Sequence, residues 1–237
     1  MLQRLRTAAA SMAEMTRRQE RTANNLANVD TSGYRRERTF ANVLREQIDA
    51  EGAPRTVRTT GGWADLNPGE LQATGNPLDV ALERGGFFVV AGPDGAERYT
   101  RAGSFGLDAT GTLRTLDGDA VMGEEGPLTL PPGSAVTVSA EGRIAVDGQP
   151  VGTLRVVTFA DPATLRRAGD TTFTSTAPPT PVDDPGVRQG FVEGSNVDAV
   201  REMADMITHF RLFEAQQKMV QSTDELLGAV TRDLGRF

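Results

Sequence analysis

The chain has 237 residues, 38% of them hydrophobic and only 5% aromatic, no cysteine, and a formal charge of −7. The length allows one large domain or two small ones, and the low apolar share implies a thin or divided core. Without cysteine there is no disulfide scaffold, thiol catalysis or thiolate metal site, and no stretch approaches the ~20 apolar residues of a membrane span.

The charge is unevenly spread. Residues 1–60 hold 11 arginines against 7 acids, residues 61–190 hold 9 arginines against 17 acids, and residues 191–237 hold 5 basic groups against 8 acids. A basic start and an acidic end can attract each other across a pair of helices. The opening "MLQRLRTAAASMAEMTRRQE" has arginines but no continuous apolar run, so a Sec-type signal peptide is not expected.

Residues 2–29 read as helix. Met1, Leu5, Ala8, Met12, Met15, Leu26 and Val29 recur near heptad spacing, with Gln19 and Thr22 standing where the seam wants apolar groups. So weak a seam draws its stability from packing rather than propensity. The helix should end abruptly. Asn24, Asn25 and Asn28 compete for backbone hydrogen bonds, and Gly33 supplies a left-handed exit. In an isolated chain the three amides are expected to be solvated; buried between subunits they would supply paired donors and acceptors.

From about residue 77 to 160 the pattern changes to short β-rich runs broken at Pro93-Asp94-Gly95, Asp108-Ala109-Thr110-Gly111, Asp117-Gly118, Glu141-Gly142 and Asp147-Gly148. Asp-Gly between β-rich runs is a strong hairpin signal. Residues 34–76 and 161–192 read as connectors, the second extended rather than packed because it is rich in Thr and Pro ("TTFTSTAPPTPVDDPG"). A second long helix fills residues 193–237. Ser195 and Asn196 are its expected caps, Asp198 lies in its first turn, and Val200, Met203, Met206, Ile207, Phe210, Phe213, Val220, Leu227 and Leu234 form a broad apolar stripe. The expected fold is therefore α+β. Helices from residues 1–33 and 193–237 pair as a coiled coil, and an antiparallel β-rich domain is inserted between them.

Little in the chain points to catalysis. His209, the only histidine, has no local nucleophile or ligand motif. Asp117, Asp119 and Glu124 could form a hydrolase or, with Glu125, a Ca²⁺ loop, but EF-hand spacing is absent and hairpin turns explain the run. Phosphate-loop, dinucleotide, nucleophile-elbow and zincin motifs are absent. Arg17, Arg18, Arg21, Arg35, Arg36 and Arg38 make a basic stretch with only Tyr34 as an aromatic platform, so a subunit-contacting face is favoured over nucleic acid. No catalytic, cofactor or metal site is expected.

Four stretches, in order, carry a resemblance: "ANNLANVDTSGYRRER" after the first helix, "TGNPLDVALERGGFFVV", "YTRAGSFGLDATGTL", and "EGSNVDAVREMADMI" before the last. Together they resemble the bacterial flagellar axial proteins of rod and hook, and the compact segment between Tyr34 and Gly75 is most similar to proximal-rod members, with distal-rod members second. The resemblance implies a non-enzymatic structural subunit without cofactor. Its partners would be further copies of itself, other flagellar rod proteins and the flagellar type III export apparatus, with neither nucleic acid nor membrane insertion. It also implies export without a cleaved signal and a place in the periplasm-spanning basal-body rod, where the subunit transmits torque. A non-polymerising flagellar adaptor that docks partners through its terminal helices is the alternative. The residues expected to carry assembly are Leu5, Met12, Met15, Asn24, Asn25, Leu26, Asn28, Gly33 and Tyr34 at one end, and Asn196, Val197, Met203, Met206, Ile207, Phe210 and Phe213 at the other.

Overall fold

The strand Phe87–Ala91 organises the β structure, and its sequence explains why. Phe87, Phe88, Val89 and Val90 are all buried, the mark of a strand covered on both faces. Side chains alternate across a strand. Phe88 and Val90 enter one core with Val80, Leu82, Phe105, Leu113, Val121, Ile144 and Leu154, while Phe87 and Val89 enter another with Tyr99, Val157, Phe159 and Phe173. Of the thin or divided core expected from composition, the structure has the divided form, two clusters on opposite faces of this strand. Edge-to-face rings hold each: Phe88 on Phe105 at 5.3 Å, Tyr99 on Phe159 at 4.8 Å.

The computed structural model describes residues 2–39, 45–48, 54–57, 62–132 and 135–234, and the side chains of 10–38, 63–132, 135–222 and 225. The fold is α+β, with helix α1 (Leu2–Ala27), helix α2 (Ala199–Leu234) and many short strands between them. Two compact units result: one holds α1 and α2, the other Asn28–Val197.

In the second unit the main sheet runs in the order Leu165–Arg167, Thr172–Ser175, Glu97–Thr100, Phe87–Ala91, Ala120–Val121, Leu113–Thr115, Phe105–Leu107. Val156–Thr158 also pairs with Phe87–Ala91, beside Ala120–Val121. The Asp147-Gly148 turn has φ of 50° and 79°, the two left-handed residues of a tight hairpin turn between Arg143–Val146 and Gln149–Thr153.

The connectors differ from expectation. Residues 161–192 are not a loose return: Thr172–Ser175 pairs with Glu97–Thr100, and Phe173 is 1% exposed. The strands Val187–Gln189 and Phe191–Glu193 then pair with Val80–Leu82 and Leu71–Ala73. The Thr-rich composition that suggested a linker is equally at home in a half-buried strand. The part of the expected first connector at residues 40–44, 49–53 and 58–61 lies outside the described residues.

In the first unit, Asn25 Nδ2 donates to Glu202 Oε2 at 3.4 Å and Gln216 Nε2 to Ser11 Oγ at 2.8 Å, so α1 and α2 pair antiparallel. Glu202, Met206, His209, Phe213, Gln216 and Val220 form the less exposed face of α2. The broad apolar stripe therefore splits in two, because Val200, Met203, Ile207 and Phe210 stay exposed. The helix starts later than its cap signals implied. Asp198, not Ser195 or Asn196, caps it, accepting from Val200 N at 3.0 Å and Arg201 N at 3.2 Å. Among the described residues no helix is long and apolar enough to cross a membrane.

Phe88, fully buried in the first of the two cores, is costly to truncate. We predict that Phe88→Ala lowers stability by ~3–5 kcal/mol in urea unfolding, whereas Leu116→Ala, at an 85% exposed position, changes it by less than ~0.5 kcal/mol.

Candidate functional site

After α1 the chain turns sharply. Thr31 N–H donates to Asn28 O at 3.2 Å and Thr31 Oγ1 to Asn28 Oδ1 at 3.0 Å. Gly33 follows with φ +71°, the left-handed exit expected of it. Its second requirement is invisible in sequence: a Cβ on Gly33 would lie 2.2 Å from Ala102 N, so the backbones at Gly33 and at Arg101-Ala102 touch where only hydrogen fits. Gly33 N–H donates to Glu193 O at 2.7 Å, and Ser32 Oγ donates to the same carbonyl at 3.3 Å.

The Glu193 side chain is the hub of this junction. Its Oε1 accepts from Arg35 Nη2 at 2.5 Å and from Gly69 N–H at 2.8 Å; its Oε2 accepts from Arg101 Nη1 at 3.2 Å. Arg35, Glu193 and Arg101 are 0%, 1% and 7% exposed. Buried charges survive only when paired and hydrogen-bonded. Burial, partly opposed by Glu193 and reinforced by the like charge of Arg35, pushes the Arg101 pKa down to about 10, so Arg101 remains a cation at neutral pH. Arg167 closes the outer side: it donates from Nη2 to Arg35 O and lies 4.7 Å from the Tyr34 ring and 5.3 Å from the Phe173 ring.

Asn196 makes a second tie. Its Oδ1 accepts from Arg36 N–H at 2.6 Å, and its Nδ2 donates to Asp65 O and Asn67 O, both at 2.8 Å. These three bonds use both amide hydrogens of Asn196 and one lone pair of its Oδ1 within the junction, while Asp198 caps α2. Arg38 pairs with Asp65 at 2.7 Å. The arrangement is structural in character. The Glu193 carboxylate, engaged by two guanidiniums and an amide, is not placed to act as a base.

The expected assembly residues fall into distinct places. Gly33, Tyr34, Asn196 and Val197 are brought together at this junction and buried or half-buried there. Asn25 is a correction: it is 2% exposed within the single chain, bonded to the buried Glu202, and not a solvated amide awaiting a neighbour. Asn24 is exposed and Asn28 half-buried in the turn. Met12, Met15, Leu26, Met206 and Phe213 lie on half-buried helix positions, and Met203, Ile207 and Phe210 on the exposed face. The Leu5 side chain lies outside the described residues. Asp117 and Glu124 are exposed on separate turns, and Asp119 is buried 3.7 Å from Arg98, so these carboxylates do not converge on one site. Sequence reasoning missed Arg35, Arg101, Arg167 and Glu193 as a group. Arg35, Arg101 and Glu193 stand in three of the family-like stretches, but nothing in their spacing brings them together across the chain.

Three family models match: residues 5–35 the one described as Flagella basal body rod protein, residues 81–146 the Flagellar hook protein FlgE/F/G D1 domain, and residues 188–233 the Flagellar basal body rod FlgEFG protein C-terminal. The flagellar basal-body rod protein FlgF of Salmonella typhimurium is 39% identical over 92% of this chain and 93% of its own length. FlgF of Escherichia coli is 38% identical over 94% of each chain. The flagellar basal-body rod protein FlgG of Agrobacterium fabrum is 34% identical over 97% of this chain and 98% of its own.

Glu193→Gln leaves two buried guanidiniums without a counter-charge and is expected to cost ~3–5 kcal/mol in urea unfolding. Gly33→Val is expected to be far more damaging than Asn25→Ala, which loses a buried bond to a carboxylate worth ~1.5–3 kcal/mol and regains some helix propensity. A Gly33→Val chain as stable as the parent would show that Gly33 does not meet Ala102.

Proposed function

The chain belongs to the flagellar basal-body rod protein family as a FlgF-like structural subunit, and we propose on that footing that it occupies the proximal rod and polymerises through its terminal helices. Subunits related head to tail extend into a filament when their contacts do not close. In this reading α1 and α2 form a coiled coil, whose neighbours in the rod are further copies and other rod proteins. The β unit forms an acidic outer layer, and the assembled rod spans the periplasm and transmits torque. The chain reaches it through the flagellar type III export apparatus without a cleaved signal. No catalysis is assigned to it.

The observation that supports assembly through the helices is the outer face of α2. Val200, Met203, Ile207 and Phe210 recur at spacings of three and four, on one face of the helix, and are 74%, 46%, 56% and 50% exposed. A row of large apolar side chains at helical spacing marks an interaction surface. It favours polymerisation over a non-polymerising adaptor because it adds a second apolar face to a helix already paired along its first. A distal-rod, FlgG-like position is not better supported by the relatives.

The test separates folding from assembly. Replacing Ile207 and Phe210 together by Asp should leave the unfolding midpoint of the purified chain within the effect of ordinary surface substitutions, ~0.5 kcal/mol each. In a strain lacking the wild-type protein, the same variant should give no swimming and no rods in isolated basal bodies by electron microscopy. Normal rods would place these residues outside the subunit contacts.

A further inference from the structure

We propose that the buried junction binds a small monovalent anion, chloride in ordinary media, at the guanidinium edges of Arg35 and Arg101 that Glu193 leaves unpaired. The inference is independent of the rod assignment and rests on charge and hydrogen-bond geometry in one place. Two guanidiniums meet one carboxylate there, and all three side chains are more than nine-tenths buried. Arginine cannot shed its charge at neutral pH, so among the described residues the cluster of Arg35, Arg101 and Glu193 carries one positive charge in excess. The donors are in excess too. Arg35 Nε and Nη1 and Arg101 Nε are buried and meet no acceptor among the described residues.

Arg101 lies 5.2 Å from the Phe87 ring, and the loop beside it crosses at Gly85, φ +96°, where no side chain intervenes. Arg167, against the Arg35 carbonyl, adds further positive potential. A water molecule would satisfy the donors but not the charge. A monovalent anion does both. The full burial of Arg35 favours a single-atom ion over an oxyanion or a ligand carboxylate.

Bromide, which scatters anomalously, is the direct probe. Crystals of the full chain grown in bromide should show an anomalous peak within hydrogen-bond distance of both Arg35 and Arg101. No peak there, or an ordinary water in its place, overturns the proposal. In solution, chloride added at constant ionic strength against gluconate should raise the melting temperature by roughly 3–5 °C per tenfold rise above its Kd. Arg101→Met, which leaves Arg35 and Glu193 as a neutral pair, should abolish that chloride-specific rise. An equal response to chloride and gluconate, or a chloride response that survives in Arg101→Met, also overturns it. If the variant does not fold, the bromide map and the wild-type melting series still decide.

Discussion

Burial of the Glu193 carboxylate between Arg35 and Arg101 holds the β unit to one arrangement. Such a cluster is a poor source of net stability, because desolvation offsets most of the Coulombic gain. Its value lies in the penalty for any other arrangement. A structure that kept one partner inside and let another go would hold an unpaired buried charge. The cluster therefore ties together four stretches far apart in sequence: Ser32–Arg36, Gly69, Arg101-Ala102 and Glu193–Asn196. The first and last of these are where the chain enters and leaves the β unit. Gly33 makes the same demand sterically, since its backbone lies against Ala102 with room only for hydrogen.

How much of this could be read in advance depended on whether the signal was local. The helices, the hairpin turns and the left-handed Gly33 were legible because each depends on a few neighbouring residues, and Asp147-Gly148 forms its turn from its own two left-handed residues. The run Phe87–Val90 was legible as strand, but nothing within it said that it divides two cores. The Thr- and Pro-rich segment misled because composition does not say what a strand pairs with. Phe173 is buried only because Glu97–Thr100 lies beside it. The junction was the least legible part. Arg35 looked like one member of a basic stretch and Glu193 like the edge of a helix motif. Their partnership spans 158 residues and exists only in the fold.

The two helices show the same limit in another form. Periodicity marked a broad apolar stripe on α2 without sorting it into faces. The structure turns Met206 and Phe213 toward the half-buried side with Glu202, His209 and Gln216, and leaves Val200, Met203, Ile207 and Phe210 on the exposed one. The amides that seemed odd at the end of α1 are partly explained within one chain, since Asn25 answers the buried Glu202. A seam of alternating apolar and polar layers specifies register more strictly than it adds stability.

Whether Glu193 and Arg35 are coupled inside the protein can be read from a double-mutant cycle on unfolding free energy with Arg35→Met and Glu193→Gln. Neighbouring groups in one network depart from additivity by ~0.5–3 kcal/mol. If the buried cluster ties the chain as described, Glu193→Gln is strongly destabilising, Arg35→Met costs less because Arg101 and Glu193 stay paired, and the double variant is more stable than the sum of the two by at least ~2 kcal/mol. Additive effects, with a coupling below ~0.5 kcal/mol, would contradict it.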